Sequence, residues 1–189
     1  MPLEHAILAL IEFEPMSGYD LKKFFDQSVA HFWSATQSHI YKSLDGLGKQ
    51  GWAEVHVVQQ DGKPNRKVYQ ITEAGHIELR RWLVTPLPMD PVREASLIQI
   101  FFSHFSTNAE IAALFEARMQ AIRAQIATLR SEAQAAIDEN ATRVGVERAH
   151  QLWQITLDYG IDYFEFQLAW HARMLNTIHN LPPLASPSR

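Results

Sequence analysis

The chain contains no cysteine, which excludes disulfide scaffolds, cysteine nucleophiles and cysteine-based zinc sites and fits a reducing compartment. It has no apolar run near the roughly 20 residues that cross a bilayer, and Met1 to Leu10 carries neither a basic start nor a cleavable apolar stretch. The expectation is a protein without a membrane partner, not exported by that route and working in the cytoplasm. Glycine is sparse, 8 in 189 residues, and forms no phosphate-cradling loop; His-Glu-x-x-His and Gly-x-Ser-x-Gly are also missing. Lysine stops early: Lys22, Lys23, Lys42, Lys49, Lys63 and Lys67 are followed by none. With a net charge of only −4, a surface for phosphates is expected in the first third of the chain or nowhere.

What the chain does have is apolar content, 47% of its residues, enough to fill real cores and to exclude whole-chain disorder. Leu3, Ala6, Ile7 and Leu10 recur at helical steps, predicting a first helix over about 3–13 that stops before Pro15. Ser17 with Asp20 three places on resembles a capping box for a short second helix burying Leu21, Phe24 and Phe25. Ser34 is placed to cap a third helix with Ile40, Leu44 and Leu47 inward, ending near Gly51, where glycine suits a left-handed cap. Trp52 to Gln60 alternates apolar and polar residues, and Lys67 to Thr72 is β-branched and aromatic, with turn residues Asp61 to Arg66 between them. Thr72 then opens a fourth helix carrying Leu79, Trp82 and Leu83. Three helices, a hairpin and a helix over residues 1–85 predict a winged helix-turn-helix.

Pro86, Pro88 and Pro91 mark a stiff linker over 86–92. Beyond it, 93–181 reads as helical and 182–189 as a frayed, disordered tail, so the fold class is mainly α with a second, C-terminal helical domain. A short helix is predicted over 95–105 and a long one over 108–138. The latter carries a seam through Ile111, Phe115, Met119, Ile122, Ile126, Leu129, Ala133 and Ala136. The final helix, 146–181, has two apolar stripes, one through Trp153, Leu157, Gly160, Phe164 and Leu168, the other through Leu152, Ile155, Tyr159, Tyr163, Phe166 and Trp170. One neighbouring helix cannot cover both, so a homodimer built by these helices is expected.

With Ile40 inward, a rotation of about 100° per residue puts Ser38, Lys42 and Lys49 on the opposite side of the third helix, with Ser34 and Tyr41 flanking. Such a face suits a major groove, and plain solvation is the alternative. Lys63, Arg66 and Lys67 on the hairpin tip, against Asp61, would hold flanking phosphates. Helix and wing together are more specific than either alone. A winged helix that binds protein or RNA without operator specificity is the other reading, separable by its weaker salt dependence.

Three stretches resemble the PadR family of bacterial transcriptional regulators: LEHAILALIEFEPMSGYDL at 3–21, HIYKSLDGLGKQGW at 39–52 and GKPNRKVYQITEAGHIELRRWL at 62–83. REASLIQIFF at 93–102 is similar to that family's domain junction. The resemblance implies a dimeric repressor on an inverted-repeat operator, released by a small aromatic or amphipathic effector. It also implies DNA contact by Tyr41 with Ser38, His39 and Lys42 beside it, and by Lys63, Asn65, Arg66 and Lys67 of the wing. The chain departs from the family at Gly48, where an acidic residue is common. Gly46 and Gly48 each weaken the second half of the third helix by about 1 kcal/mol relative to alanine, which bears on Lys49.

No enzyme, cofactor or metal site is expected. Glu73-x-x-His76 and Glu147-x-x-His150 have a di-iron spacing, but such a site needs two further glutamates around one bundle core, and solvated helix starts explain both. Asp158, Asp162 and Glu165 read as a solvated acidic stripe, and the nine histidines are scattered. Finally, tryptophan and tyrosine crowd the last helix. Trp33, Phe101, Trp153, Tyr159, Tyr163 and Trp170, with Phe102, are candidates for an effector site near the domain junction, and packing is the alternative reading of the same rings.

Overall fold

The computed structural model describes residues 2–59, 65–89, 91 and 93–184. In chain order these form α1 (Pro2–Phe13), β1 (Met16–Ser17), α2 (Gly18–Asp26), α3 (Gln37–Lys49), β2 (Ala53–Val58), β3 (Arg66–Ile71), α4 (Glu73–Leu83), α5 (Ala95–Phe101), α6 (Asn108–Thr128), α7 (Gln134–Val144) and α8 (Glu147–His179). Short 3-10 turns at Val29–His31 and Ser103–Phe105 interrupt the order, and a π-helical turn at Leu129–Ala133 joins α6 to α7. The chain divides into two compact units, Met1–Leu87 with Ala135–Gln154, and Pro88–Gln134 with Ile155–Arg189. Residues 61–64 of the turn expected at Asp61 to Arg66 and 185–189 of the tail expected at 182–189 lie outside the described residues, as do Gln60, Asp90 and Val92, whereas Arg66 opens β3 and is not in the turn.

Local signals set the helix ends of the first unit. The Ser17 hydroxyl caps α2 by accepting the Asp20 amide, and Thr72 caps α4 by accepting that of Gly75. Gly51 takes φ +70° just past the end of α3, as a left-handed cap requires. Despite Gly46 and Gly48, α3 stays helical through Lys49, because Leu44 and Leu47 lock its inner face into the core. Its cap is Thr36, whose hydroxyl accepts the His39 amide at 3.3 Å, and not Ser34 as expected. Both residue types cap helices, and the first turn settles which one is in register.

The sheet has three strands where two were read, in the order β1-β3-β2 and antiparallel throughout. The hairpin pairs Ala53 with Ile71 through to Val58 with Arg66, and Met16 and Ser17 add a third edge against Tyr69 and Val68. A core of Ile7, Leu8, Ile11, Leu21, Phe24, Phe25, Ile40, Leu44 and Leu47 lies beneath. It joins the inner faces of α1, α2 and α3 at the spacing that made them legible. His5, buried in the same unit, stacks on Trp82 at 4.7 Å and bonds Glu78 at 2.9 Å. Arg81 bonds the Glu78 carboxylate twice, at 2.8 and 2.6 Å, and with His5 it lowers that group from the ordinary 4.5 to about 2. Residues 135–154 belong here as well: Asn140 donates to the Gln27 carbonyl at 3.0 Å, and Arg143 pairs with Glu14 and lies over the Phe24 ring. Composition places them beyond the proline segment and cannot register that they pack back.

In the second unit Ile111, Ala112, Phe115 and Ile178 form a core against which Ile100, Trp170, Met174 and Leu175 pack. Thr107 and Glu110 make the reciprocal capping box that opens α6. The α6 seam is buried as read from Ile111 to Leu129, after which the π turn inserts a residue. Past it the chain belongs to the first unit, where Ile137 and Asn140 are buried and the expected Ala136 is only half-buried. On α8, Leu157 of the first stripe is fully buried, and Leu129 Cδ1 lies 3.7 Å from where a Gly160 side chain would begin. The second stripe is largely open in the single chain: Ile155, Tyr159 and Phe166 are exposed, as is Leu152 in the part of α8 that belongs to the first unit. Among the described residues no helix is long and apolar enough to cross a membrane.

Candidate nucleic-acid interface

The two faces of α3 follow from its sequence period. Ile40, Ser43, Leu44 and Leu47 are buried, which leaves Ser38, His39, Tyr41, Lys42 and Lys49 exposed on the other side. Among the described residues no carboxylate pairs with Lys42, so its ammonium group is available to phosphate. Tyr41 is more constrained. It is 40% exposed, and the edge of its ring lies against α2, because a Cβ at Gly18 would stand 2.6 Å from Tyr41 Cε1, 2.7 Å from Cζ and 2.9 Å from the hydroxyl. Only a residue without a side chain leaves room for the ring there. The first residue of α2 is thus a seat that sets where the Tyr41 hydroxyl points.

The wing is tied at its base to α2, the helix on which Tyr41 is seated. Asn65, Arg66 and Lys67 are all exposed, whereas Lys63 lies outside the described residues. Arg66 is ion-paired with Asp20, which also accepts the Ser17 hydroxyl at 2.6 Å. Burial opposes ionisation of Asp20, but the Ser17 bond and the Arg66 charge outweigh it and hold the carboxyl below its ordinary value. Arg66 therefore fastens β3 to the start of α2 and does not project as a free cation. Lys67, on the adjacent register position, has no carboxylate partner among the described residues. The Ser17–Asp20 pair was legible as a helix cap; its second duty to a side chain 46 residues on, and the Gly18 seat, left no local signal.

The aromatic candidates separate into two groups. Trp33 and Trp153 belong to the first unit, where Trp153 meets Phe13 edge-on at 6.0 Å. Phe101, Tyr159, Tyr163 and Trp170 belong to the second, as does Phe102. There Phe101 and Trp170 line a cleft of about 480 Å³ with Ile100, Phe115 and Met174, and Tyr163 and Trp170 line another of about 420 Å³. Tyr159 is exposed and lines neither. The two Glu-x-x-His spacings are taken up separately, His76 pairing with Glu12 at 2.6 Å and His150 with Asp138 at 3.3 Å. Among the described residues no three histidine, aspartate or glutamate side chains are grouped to hold a metal.

Two family models match the chain, the transcriptional regulator PadR-like family over residues 7–81 and the virulence activator alpha C-terminal family over 92–179. The chain is 34% identical over 153 residues to a probable transcriptional regulator, Rv1176c, of Mycobacterium tuberculosis, covering 78% of this chain and 76% of that protein. It is 30% identical over 128 residues to the negative transcriptional regulator PadR of Bacillus subtilis, covering 67% and 70%. The crystal structure of B. subtilis PadR with operator DNA superposes with a TM-score of 0.77 at 24% identity, over 94% of this chain and 99% of that one. The same regulator with p-coumaric acid gives 0.74 at 23%, over 95% and 100%. These two likenesses establish the shared fold.

Proposed function

The chain belongs to the PadR-like family of transcriptional regulators, and on that premise we propose how this DNA-binding regulator works: as a homodimeric repressor that sets two copies of α3 in successive major grooves of an inverted-repeat operator. The observation that carries this reading is the exposed α3 face of Ser38, His39, Tyr41 and Lys42 beside the wing residues Asn65 and Lys67. Tyr41, seated on Gly18, and Ser38 discriminate bases, while Lys42 and Lys67 act through phosphates. Arg66 contributes mainly by holding the wing in place, and Lys63 of the tip adds a further cation.

Residues 1–85 serve as the DNA-binding domain, and of the segment 93–181 it is residues 93–134 and 155–181, which form the second unit, that serve as the dimerisation domain. The exposed apolar side chains Ile155, Tyr159 and Phe166 of α8, with Ile98 and Phe102 of the α5 segment, supply the dimer seam. An obligate interface of this kind buries about 2,000 Å² or more. Light scattering on the full chain tests it, with a monomer at micromolar concentration as the contrary result.

The regulator works in the cytoplasm, where its operator is, and carries no catalysis. As B. subtilis PadR was crystallised with p-coumaric acid, a small aromatic effector is proposed here too, released operator following from tighter binding to the DNA-incompetent state. Titration of duplex from upstream of its own and adjacent genes, against random duplex, tests the whole reading. Equal affinity for both sinks it.

A further inference from the structure

The outward face of α3 carries one group that does not fit a surface made for phosphates. Asp45 is exposed, and at about 100° per residue it stands about 140° from the buried Ile40, in projection between Tyr41 and Ser38 and one turn beyond Tyr41 along the axis. Lys42 and Lys49 lie three residues before it and four after it, yet among the described residues no cation pairs with Asp45 and no donor hydrogen-bonds it. Its charge is felt elsewhere. Burial first, then Asp45 and Tyr41, push the Tyr69 hydroxyl above its ordinary value, and Tyr69 is half-buried on β3, where it pairs with Met16 on one side and Val55 on the other. Asp45 therefore lies where α3 comes near the base of the wing, inside the proposed DNA-facing surface and not at its margin.

A carboxylate in that place opposes everything general about binding a duplex. It accepts hydrogen bonds and donates none. The phosphates that Lys42 and Lys67 attract repel it, and a groove strips it of water, so it lowers affinity for an arbitrary sequence. Major-groove edges compensate that cost at two groups only, the N4 amine of cytosine and the N6 amine of adenine, because guanine and thymine present acceptors and a methyl. Adenine sets its N7 acceptor beside the amine, whereas cytosine has no acceptor on its own groove edge.

We propose that Asp45 is a specificity-determining residue of this regulator, its carboxylate accepting from the N4 amine of one cytosine in each operator half-site and rejecting other bases at that position. The proposal rests on the reading of α3 as the operator-binding helix and adds to it the identity of a base. Discrimination comes as much from what the charge excludes as from the bond it makes.

The full-length protein and its Asp45→Ala and Asp45→Asn variants each select from a pool of random-sequence duplexes, and the selected sequences are titrated by fluorescence anisotropy. The wild-type protein is expected to select an inverted repeat with cytosine fixed at one position of each half. It should lose about tenfold or more in affinity when that cytosine is replaced by 2-pyrimidinone, which lacks only the amine. Asp45→Ala is expected to keep the rest of the repeat, to accept any base at that position, to treat cytosine and 2-pyrimidinone alike, and to bind random duplex more tightly than the wild type does. Asp45→Asn should turn the preference towards adenine, whose N6 and N7 an amide meets with both its groups. A residue that only supports the helix would weaken binding to all duplexes and leave the base preference where it was. An unchanged preference in Asp45→Ala, loosening at a position that specifies any base but cytosine, or equal losses with the analogue in wild type and Asp45→Ala overturns the proposal. A wild-type selection that returns no repeat sinks the operator reading and this proposal with it, whereas a clear repeat indifferent to Asp45 sinks the proposal alone.

Discussion

Replacing Gly18 by alanine should weaken operator binding although Gly18 is not itself proposed to meet DNA. The added methyl would stand 2.6 Å from Tyr41 Cε1 and 2.7 Å from Cζ, about 1 Å closer than close-packed carbons tolerate. The α2 backbone is anchored by the Ser17 cap and the Asp20–Arg66 pair, whereas Tyr41 is 40% exposed, so the ring is the partner that yields. Swinging it off its seat removes one oriented base or phosphate contact, about 1–3 kcal/mol or some 5- to 150-fold in affinity. Stability should change by less than about 1 kcal/mol, since alanine is no worse than glycine in a helix. Fluorescence anisotropy on an operator duplex, paired with thermal melts, measures both. The decisive arm is a double-mutant cycle in which Gly18→Ala is repeated on Tyr41→Ala, where it should cost nothing further. Wild-type affinity in the single variant, or strictly additive losses in the double, would refute the reasoning.

Glu78, held near 2 by Arg81 and His5 against an ordinary 4.5, contributes stability that is complete above about pH 4.5 and lost as the pH falls through 2. Glu78→Gln should therefore flatten acid unfolding across that window and cost about 1–3 kcal/mol at neutral pH, where His5 loses a buried charged partner; a variant with the wild-type acid limb contradicts this. Leu157→Ala, at a fully buried position of α8, should destabilise by about 2–5 kcal/mol in urea unfolding, and a loss below 1 kcal/mol would mean that Leu157 is not core. Asp20→Asn should weaken operator binding by loosening the wing that Arg66 fastens to α2, while Arg66→Ala should leave the salt slope nearly unchanged. A slope reduced by a full unit in Arg66→Ala would return that residue to the phosphate contacts.

Much of this architecture was legible from spacing, because α1, α2, α3 and the first part of α6 each bury one stripe, and because Ser17, Thr72 and Thr107 start α2, α4 and α6 while Gly51 follows the end of α3, each by its local chemistry. What stayed hidden is non-local or shorter than a period. β1 is two residues long and pairs through its backbone, which no side-chain pattern announces. The π turn after Thr128 adds one residue to a seam whose three- and four-residue steps tolerate either continuation, so the helical period points to Ala136 where Ile137 is buried. At the candidate interface the outward set on α3 follows from the same helical arithmetic, and Ser38, Tyr41 and Lys42 are where it puts them. The capture of Arg66 by Asp20 and the seating of Tyr41 on Gly18 join residues 46 and 23 positions apart. Nothing short of the fold brings them together.

The central claim is that this dimer grips duplex DNA through α3 and the wing, and the salt dependence of operator binding tests it most directly. Affinity for the upstream duplex should exceed that for random duplex by at least 10³ and fall steeply and linearly in log–log form as salt rises. Lys42→Ala and Lys67→Ala should each reduce the slope by about one and weaken all sequences alike, whereas Tyr41→Ala should keep the slope and narrow the gap between operator and random duplex. An affinity that barely responds to salt, or a slope that neither lysine changes, would contradict the account.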